Sequence, residues 1–107
     1  MSAPTYEVRY VAPVLRDLVK RDDAEVLMLE IETTLATDPV RPPGGRSKPL
    51  AGAPPLRRYK PHVDNDTRIL YAIRGKQVWI LAIHPWKSVY RRGNVTAAKQ
   101  RFKDHAG

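Results

Sequence analysis

The spacing of hydrophobic and polar positions changes period along the chain, and each change marks an element. From Tyr6 to Val11, Tyr6, Val8 and Tyr10 alternate with Glu7 and Arg9, the period of a half-buried strand. Pro13 suits the first turn of a helix, where its missing N–H is not needed. Val14, Leu15, Leu18 and Val19 form one apolar stripe, and Lys20 and Arg21 follow where a helix dipole favours cations. Asp22 or Asp23 then stands ready to cap a second helix. The stripe of that helix, Ala24, Leu27, Met28, Ile31 and Leu35, keeps helical spacing until Asp38–Pro39 ends it. Two amphipathic helices with a short connection predict an antiparallel helical hairpin.

Between Thr37 and Pro55 the periodicity disappears. Six prolines and three glycines in this stretch read as a long Pro/Gly-rich loop over residues 37–55. A loop of that length in a small domain is either functional or a surface insertion, and its Arg41, Arg46 and Lys48 suit a basic flap over a polyanion. The remainder reads as sheet. Leu56 to Val63 is polar and basic, with Pro61 unable to donate to a full ladder. Thr67 to Ile73 and Gln77 to Ile83 are rich in β-branched and aromatic residues, with turns at Asp64–Asp66 and Arg74–Lys76. The segment VWILAI is apolar on both faces and so predicts a central strand covered by helices on at least one side. Residues 93–107 read as a basic tail or a short helix. The predicted architecture is α+β, in the order β-α-α-β-β-β: one domain over residues 1–107, a small antiparallel-rich sheet that the first strand joins, with the N-terminal helical hairpin on one face.

Charge alters this picture more than composition does. The formal net charge is +8, and it is unevenly spread. Residues 1–40 carry four basic and eight acidic side chains, and residues 41–107 fifteen basic and three acidic. A one-sign field over most of a small domain attracts polyanions, so nucleic acid or the ribosome is the expected partner. A membrane surface fits less well, because no helix pairs Lys and Arg with Trp, Phe and Leu. No apolar run approaches the roughly 20 residues that span a bilayer, and no secretory signal is visible. The absence of cysteine excludes disulfides and thiolate metal sites within the sequence and agrees with a cytoplasmic location.

Most enzyme signatures are missing. His62, His84 and His105 are far apart and no HExxH pair exists, so no metal site and no cofactor are expected. There is no G-x-S-x-G elbow and no Walker loop. The basic half instead brings together Arg57, Arg58, Lys60, Arg68, His84, Lys87, Tyr90, Arg91 and Arg92. Such an inventory suits metal-free RNA cleavage, in which a ribose 2′-OH attacks the adjacent phosphorus and expels the 5′-oxygen. Arginines stabilise the charge of that transition state, and proton transfer needs an acid and a base. His84 titrates in the right range, Tyr90 offers a phenol, and Trp86 offers a face for base stacking. The same residues also suit simple phosphate binding, with Trp86 closing the end of a core.

The segment LAGAPPLRRYKPHVDNDTRILYAIRGKQVWILAIHPWKSVYRR resembles the RelE/ParE toxin superfamily. The shared pieces are Leu50 and Gly52 leading into a basic strand, then Asp66-Thr67-Arg68-Ile69-Leu70-Tyr71, then VWILAIHPWKSVYR. With the order of elements, the resemblance spans residues 6–92. It implies a toxin of a type II toxin–antitoxin system, a metal-independent endoribonuclease that cuts mRNA at the ribosome and is neutralised by an antitoxin protein in a hetero-oligomer. By motif, Arg68 matches the arginine that stabilises the transition-state phosphate, and Tyr90 the tyrosine that aligns or activates the 2′-OH. His84 falls where an arginine or histidine acts on the leaving group. Arg57, Arg58, Lys60, Lys87 and Arg91 are then the backbone-binding residues. The sequence departs from the pattern at Ala82-Ile83-His84-Pro85, where the arginine after the histidine is missing, at Pro61, and in its longer loop. The superfamily also holds gyrase-poisoning members, so a ParE-like toxin or a non-catalytic relative bound to nucleic acid or antitoxin stays open.

Overall fold

The computed structural model describes residues 5–106. Its elements are β1 (Glu7–Tyr10), α1 (Ala12–Leu18), α2 (Ala24–Thr34), β2 (Ser47–Pro49), β3 (Arg57–Tyr59), β4 (Thr67–Arg74), β5 (Gln77–Pro85) and α3 (Arg92–Ala106). The strands form a mixed sheet in the order β1-β5-β4-β3-β2. The first strand does join the sheet, and it lies parallel to β5, whereas the other neighbours are antiparallel.

Apolar content decides which strands are central. Val78 to Ala82 on β5 and Ile69 to Ala72 on β4 are buried, and they pair through a hairpin in which Gly75 takes φ 58°. A register shift between Leu70 and Tyr71 inserts Leu81 as an extra residue on β5. Tracing the alternation from this bulge assigns the two faces. Val8, Tyr10, Tyr59, Ile69, Tyr71 and Ile80 share one. Arg9, Arg58, Arg68, Leu70, Trp79, Ala82 and His84 share the other.

The helical hairpin covers the first face. Leu27, Ile31 and Leu35 of the second stripe are buried, as the spacing predicts. The α1 stripe is only half used: Val14 and Leu18 are buried, while Leu15 is 42% and Val19 80% exposed. Asp23 occupies the N-cap position of α2 without a side-chain capping bond. Its carboxylate is taken by Arg21, which also reaches Asp64. On α2, Glu30 accepts from the Tyr59 hydroxyl at 2.5 Å and from the His62 and Val63 amides at 2.8 and 2.9 Å. Burial works against this charge, but the hydrogen bonds outweigh it and hold the carboxyl below its usual range.

Two segments are more ordered than the sequence pattern suggests. The Pro/Gly-rich loop contributes β2, which pairs Ser47 with Tyr59 and Lys48 with Arg58. Residues 92–106 form a fifteen-residue helix that crosses the second sheet face. Arg101 donates to the Leu81 carbonyl at 2.8 Å, and His105 stacks on Trp79 at 6.4 Å between ring centroids. The β5 core is therefore covered on both sides. Conversely, the strand predicted over Leu56–Val63 is only three residues long, consistent with the missing N–H of Pro61.

Candidate nucleic-acid interface

β3 carries Arg57, Arg58 and then Tyr59, and strand alternation separates the two arginines. Arg58 pairs with Leu70 and Arg68 with His84, so Arg58, Arg68 and His84 stand on the face that α3 only partly covers. Arg57 points the other way. Its guanidinium donates to the Val40 carbonyl at 2.8 Å, to the Ser47 hydroxyl at 3.2 Å and to the Tyr71 hydroxyl at 3.3 Å. Tyr71 in turn donates to the Pro39 carbonyl. Arg57 is thus a clasp on the long loop, set apart from the other predicted RNA-binding residues.

After β5 the chain turns sharply. The Ser88 and Val89 amides donate to the Pro85 carbonyl at 3.0 Å, and Asn94 of α3 donates to the Ser88 carbonyl at 2.7 Å. Val89 is fully buried and anchors this turn, which leaves Tyr90 48% exposed. Tyr90 faces a cleft of about 740 Å³ shared with Lys48, Arg58, Arg92 and Lys99, with no acidic residue in its lining. Clustered cations in a concave site concentrate the field that binds phosphate. Of the predicted residues, Arg58 and Tyr90 meet here. Arg68 and His84 lie further along the same sheet face, and Lys60 at the end of β3. Trp86, Lys87 and Arg91 sit exposed on the turn, with Lys87 Nζ 5.9 Å from the centroid of the Trp86 ring system.

Local chemistry sets the state of two of these groups. The Arg68 guanidinium donates to the Asn65 and Thr67 carbonyls at 2.5 and 2.9 Å, neutral acceptors that leave its charge uncompensated. Burial, aided by the Arg101 guanidinium, pushes the His84 imidazole below its ordinary value of 6.5, against a smaller pull from Asp17. Neutral imidazole therefore predominates at pH 7. Among the described residues no group of three His, Cys, Asp or Glu is placed to hold a metal ion, and no helix is long and apolar enough to cross a membrane.

Lys48, named above in the loop's basic flap, and Arg92, named in the basic cluster, line the cleft together with Lys99, which sequence reasoning did not single out. The available signal was the spacing of Arg92, Thr96 and Lys99, which repeats every three to four residues, but it counts only once this segment is known to be helical.

A small mixed-sheet α+β protein with one open basic face is the class that fold and site define. The computed structure superposes on a double arginine-to-alanine mutant of the E. coli toxin RelE in the free state, with TM-score 0.66, 15% identity, and coverage of 91% of this chain and 97% of that one. It also superposes on the archaeal RelE–RelB complex from Pyrococcus horikoshii OT3, with TM-score 0.59, 26% identity, and coverage of 76% and 94%. No protein-family model and no curated protein sequence matches the chain. The chain has a RelE-like toxin fold.

Proposed function

We propose that this protein is the toxin of a type II toxin–antitoxin pair and an endoribonuclease that cuts translated mRNA. One observation carries the reading. On a RelE-like fold, the register sets Arg58, Arg68 and His84 on one face, and Arg58 shares an acid-free cleft with Tyr90.

The reaction needs no external nucleophile. The 2′-oxygen loses its proton and bonds to the adjacent phosphorus, and the bond to the 5′-oxygen breaks as that oxygen gains a proton. The products are a 2′,3′-cyclic phosphate and a 5′-hydroxyl. Arg68, held by two carbonyls, turns its uncompensated charge to the phosphoryl oxygens, and Arg58 grips the strand alongside. The resemblance assigns His84 to the leaving group, but an imidazole held neutral suits the opposite role at pH 7, accepting the 2′-OH proton. Tyr90 then donates to the 5′-oxygen. Lys60, Lys87 and Arg91 add backbone contacts, and Trp86 offers a stacking face. Arg57 serves the site indirectly, by fixing the loop that bears Lys48.

The neutralising partner is an antitoxin protein, a reading supported by the RelE–RelB complex among the structural neighbours. It covers the basic face or displaces the C-terminal helix. The ribosome supplies the rest of the substrate geometry, so the protein works in the cytoplasm.

Primer extension on a reporter mRNA after brief induction tests the proposal. Cuts inside the translated region that vanish with Arg68→Ala are the expected result. Growth arrest without such cuts would move the target to gyrase or elsewhere, and no arrest would leave a binding protein.

A further inference from the structure

A second groove adjoins the cleft that holds Arg58 and Tyr90. It has a volume of about 450 Å³ and lies between α3 and the Pro54–Pro55 turn, with Arg74, Lys99 and Lys103 among its walls. Thr96 and Lys99 line both cavities, so the two lie side by side along α3. Neither lining contains an acidic residue.

Helical geometry explains why the two cavities are neighbours. Arg92, Thr96, Lys99 and Lys103 are spaced four, three and four residues apart, which lines them up along one flank of α3. From Arg92 to Lys103 that flank runs about 16 Å at 1.5 Å per residue. Arg74, at the end of β4, faces it from the sheet. Phe102 and the two prolines give the groove an apolar floor against which a base or ribose can rest. Arg74, Lys99 and Lys103 are exposed, and this fold keeps them in a row without a carboxylate to neutralise them.

We propose that this groove is a second RNA subsite, in which Arg74, Lys99 and Lys103 hold the sugar–phosphate backbone of the single strand leaving the first cleft. It rests on the RNA-cleaving reading above and deepens it: the protein grips several nucleotides on one side of the cut, beyond the scissile pair. An acidic protein segment would also meet the charge, but the shared Thr96–Lys99 wall makes the groove an extension of the RNA cleft.

The test compares purified wild type with Arg74→Ala/Lys103→Ala, the two cations that line the groove but not the first cleft, by fluorescence anisotropy. The probes are labelled single-stranded RNAs of about twelve and about four nucleotides. A control variant, Arg16→Ala/Lys20→Ala, removes the same charge from exposed positions outside both cavities. The groove variant is expected to bind the longer RNA roughly ten-fold more weakly or worse, and to lose about 1.4 units of log–log salt slope, at 0.7 per phosphate contact. The shorter RNA and the control variant should change little. Unfolding curves that superpose on wild type confirm that the groove variant is folded. Equal losses in the groove and control variants would reduce the effect to net charge and overturn the subsite. RNA binding unchanged in the groove variant, with lost binding to a polyglutamate peptide, would assign the groove to an acidic protein and overturn it too. Wild type that bound neither RNA at low salt would overturn the subsite, whereas the RNA-cleaving reading on which it rests fails separately, if primer extension shows no cuts in translated mRNA.

Discussion

Arg68 and His84 stand opposite each other across the β4–β5 pair, one carrying a permanent charge and the other an imidazole held neutral by burial and a nearby arginine. The pairing matches what cleavage through a 2′-hydroxyl requires: a fixed cation for the phosphoryl oxygens beside a group that can accept a proton. Which residue does which is open to direct measurement.

Arg68→Ala should lower cleavage by about 100- to 1,000-fold, the usual effect of removing one transition-state donor. The Arg68 contacts are to backbone carbonyls at the start of β4, and its side chain is half-buried at most, so the unfolding midpoint should barely move. Cleavage of a translated reporter gives the first quantity and urea denaturation the second. A stable variant that still cuts at the wild-type rate would remove Arg68 from the site.

The pH dependence separates the base role of His84 from the acid role. As a base it is active when neutral, so kcat/KM for RNA should rise with pH and level off with a midpoint below 6.5, because burial and Arg101 lower that of the free protein. Arg101→Ala removes a cation that disfavours the imidazolium and should move the midpoint upward; Asp17→Asn should move it down. A rate that falls with pH across the same range would instead make His84 the acid.

Much of the fold was legible because burial enforces periodicity. The α2 stripe and the apolar run of β5 could pack in few other ways, and both sit where the pattern put them. β2 was hidden because Ser47-Lys48-Pro49 is a three-residue edge strand with no apolar face to reveal it. The extent of α3 was obscured because Val95, Ala98, Phe102 and Ala106 make a thin, Ala-weakened stripe. That omission also obscured the site, since Arg92 and Lys99 become neighbours only on a helix. Arg57 and Arg58 looked equivalent as adjacent cations, and only the register of β3 gave them different faces.

Glu30 predicts a stability effect away from the site. Its folded-state pKa lies below the ordinary 4.5, so the unfolded chain binds the extra proton between the two values. The contribution is therefore complete above about pH 4.5 and lost as pH falls through the lower folded value. Glu30→Ala should destabilise by about 2–3 kcal/mol at neutral pH, because the Tyr59 hydroxyl and two backbone amides lose their acceptor. Urea unfolding at about pH 7 and about pH 3 checks both points, with the gap between wild type and variant narrowing at the lower pH.

The sharpest contrast lies within one dipeptide. Arg58 opens onto the cleft, while Arg57 fastens Val40, Ser47 and Tyr71 on the opposite face. Arg58→Ala should leave stability within about 0.5 kcal/mol and reduce the salt slope of single-stranded RNA binding by about 0.7, the loss of one phosphate contact. Arg57→Ala should do the reverse. Its charged hydrogen bonds predict a loss of about 1.5–3 kcal/mol and faster proteolysis between residues 38 and 47, with the salt slope unchanged. Two adjacent arginines with opposite signatures would confirm that the faces are assigned correctly. If Arg57→Ala lowered the slope and spared the loop, the alternation of β3 would have to be reversed, and the cleft would lose the cation that now joins it to the sheet.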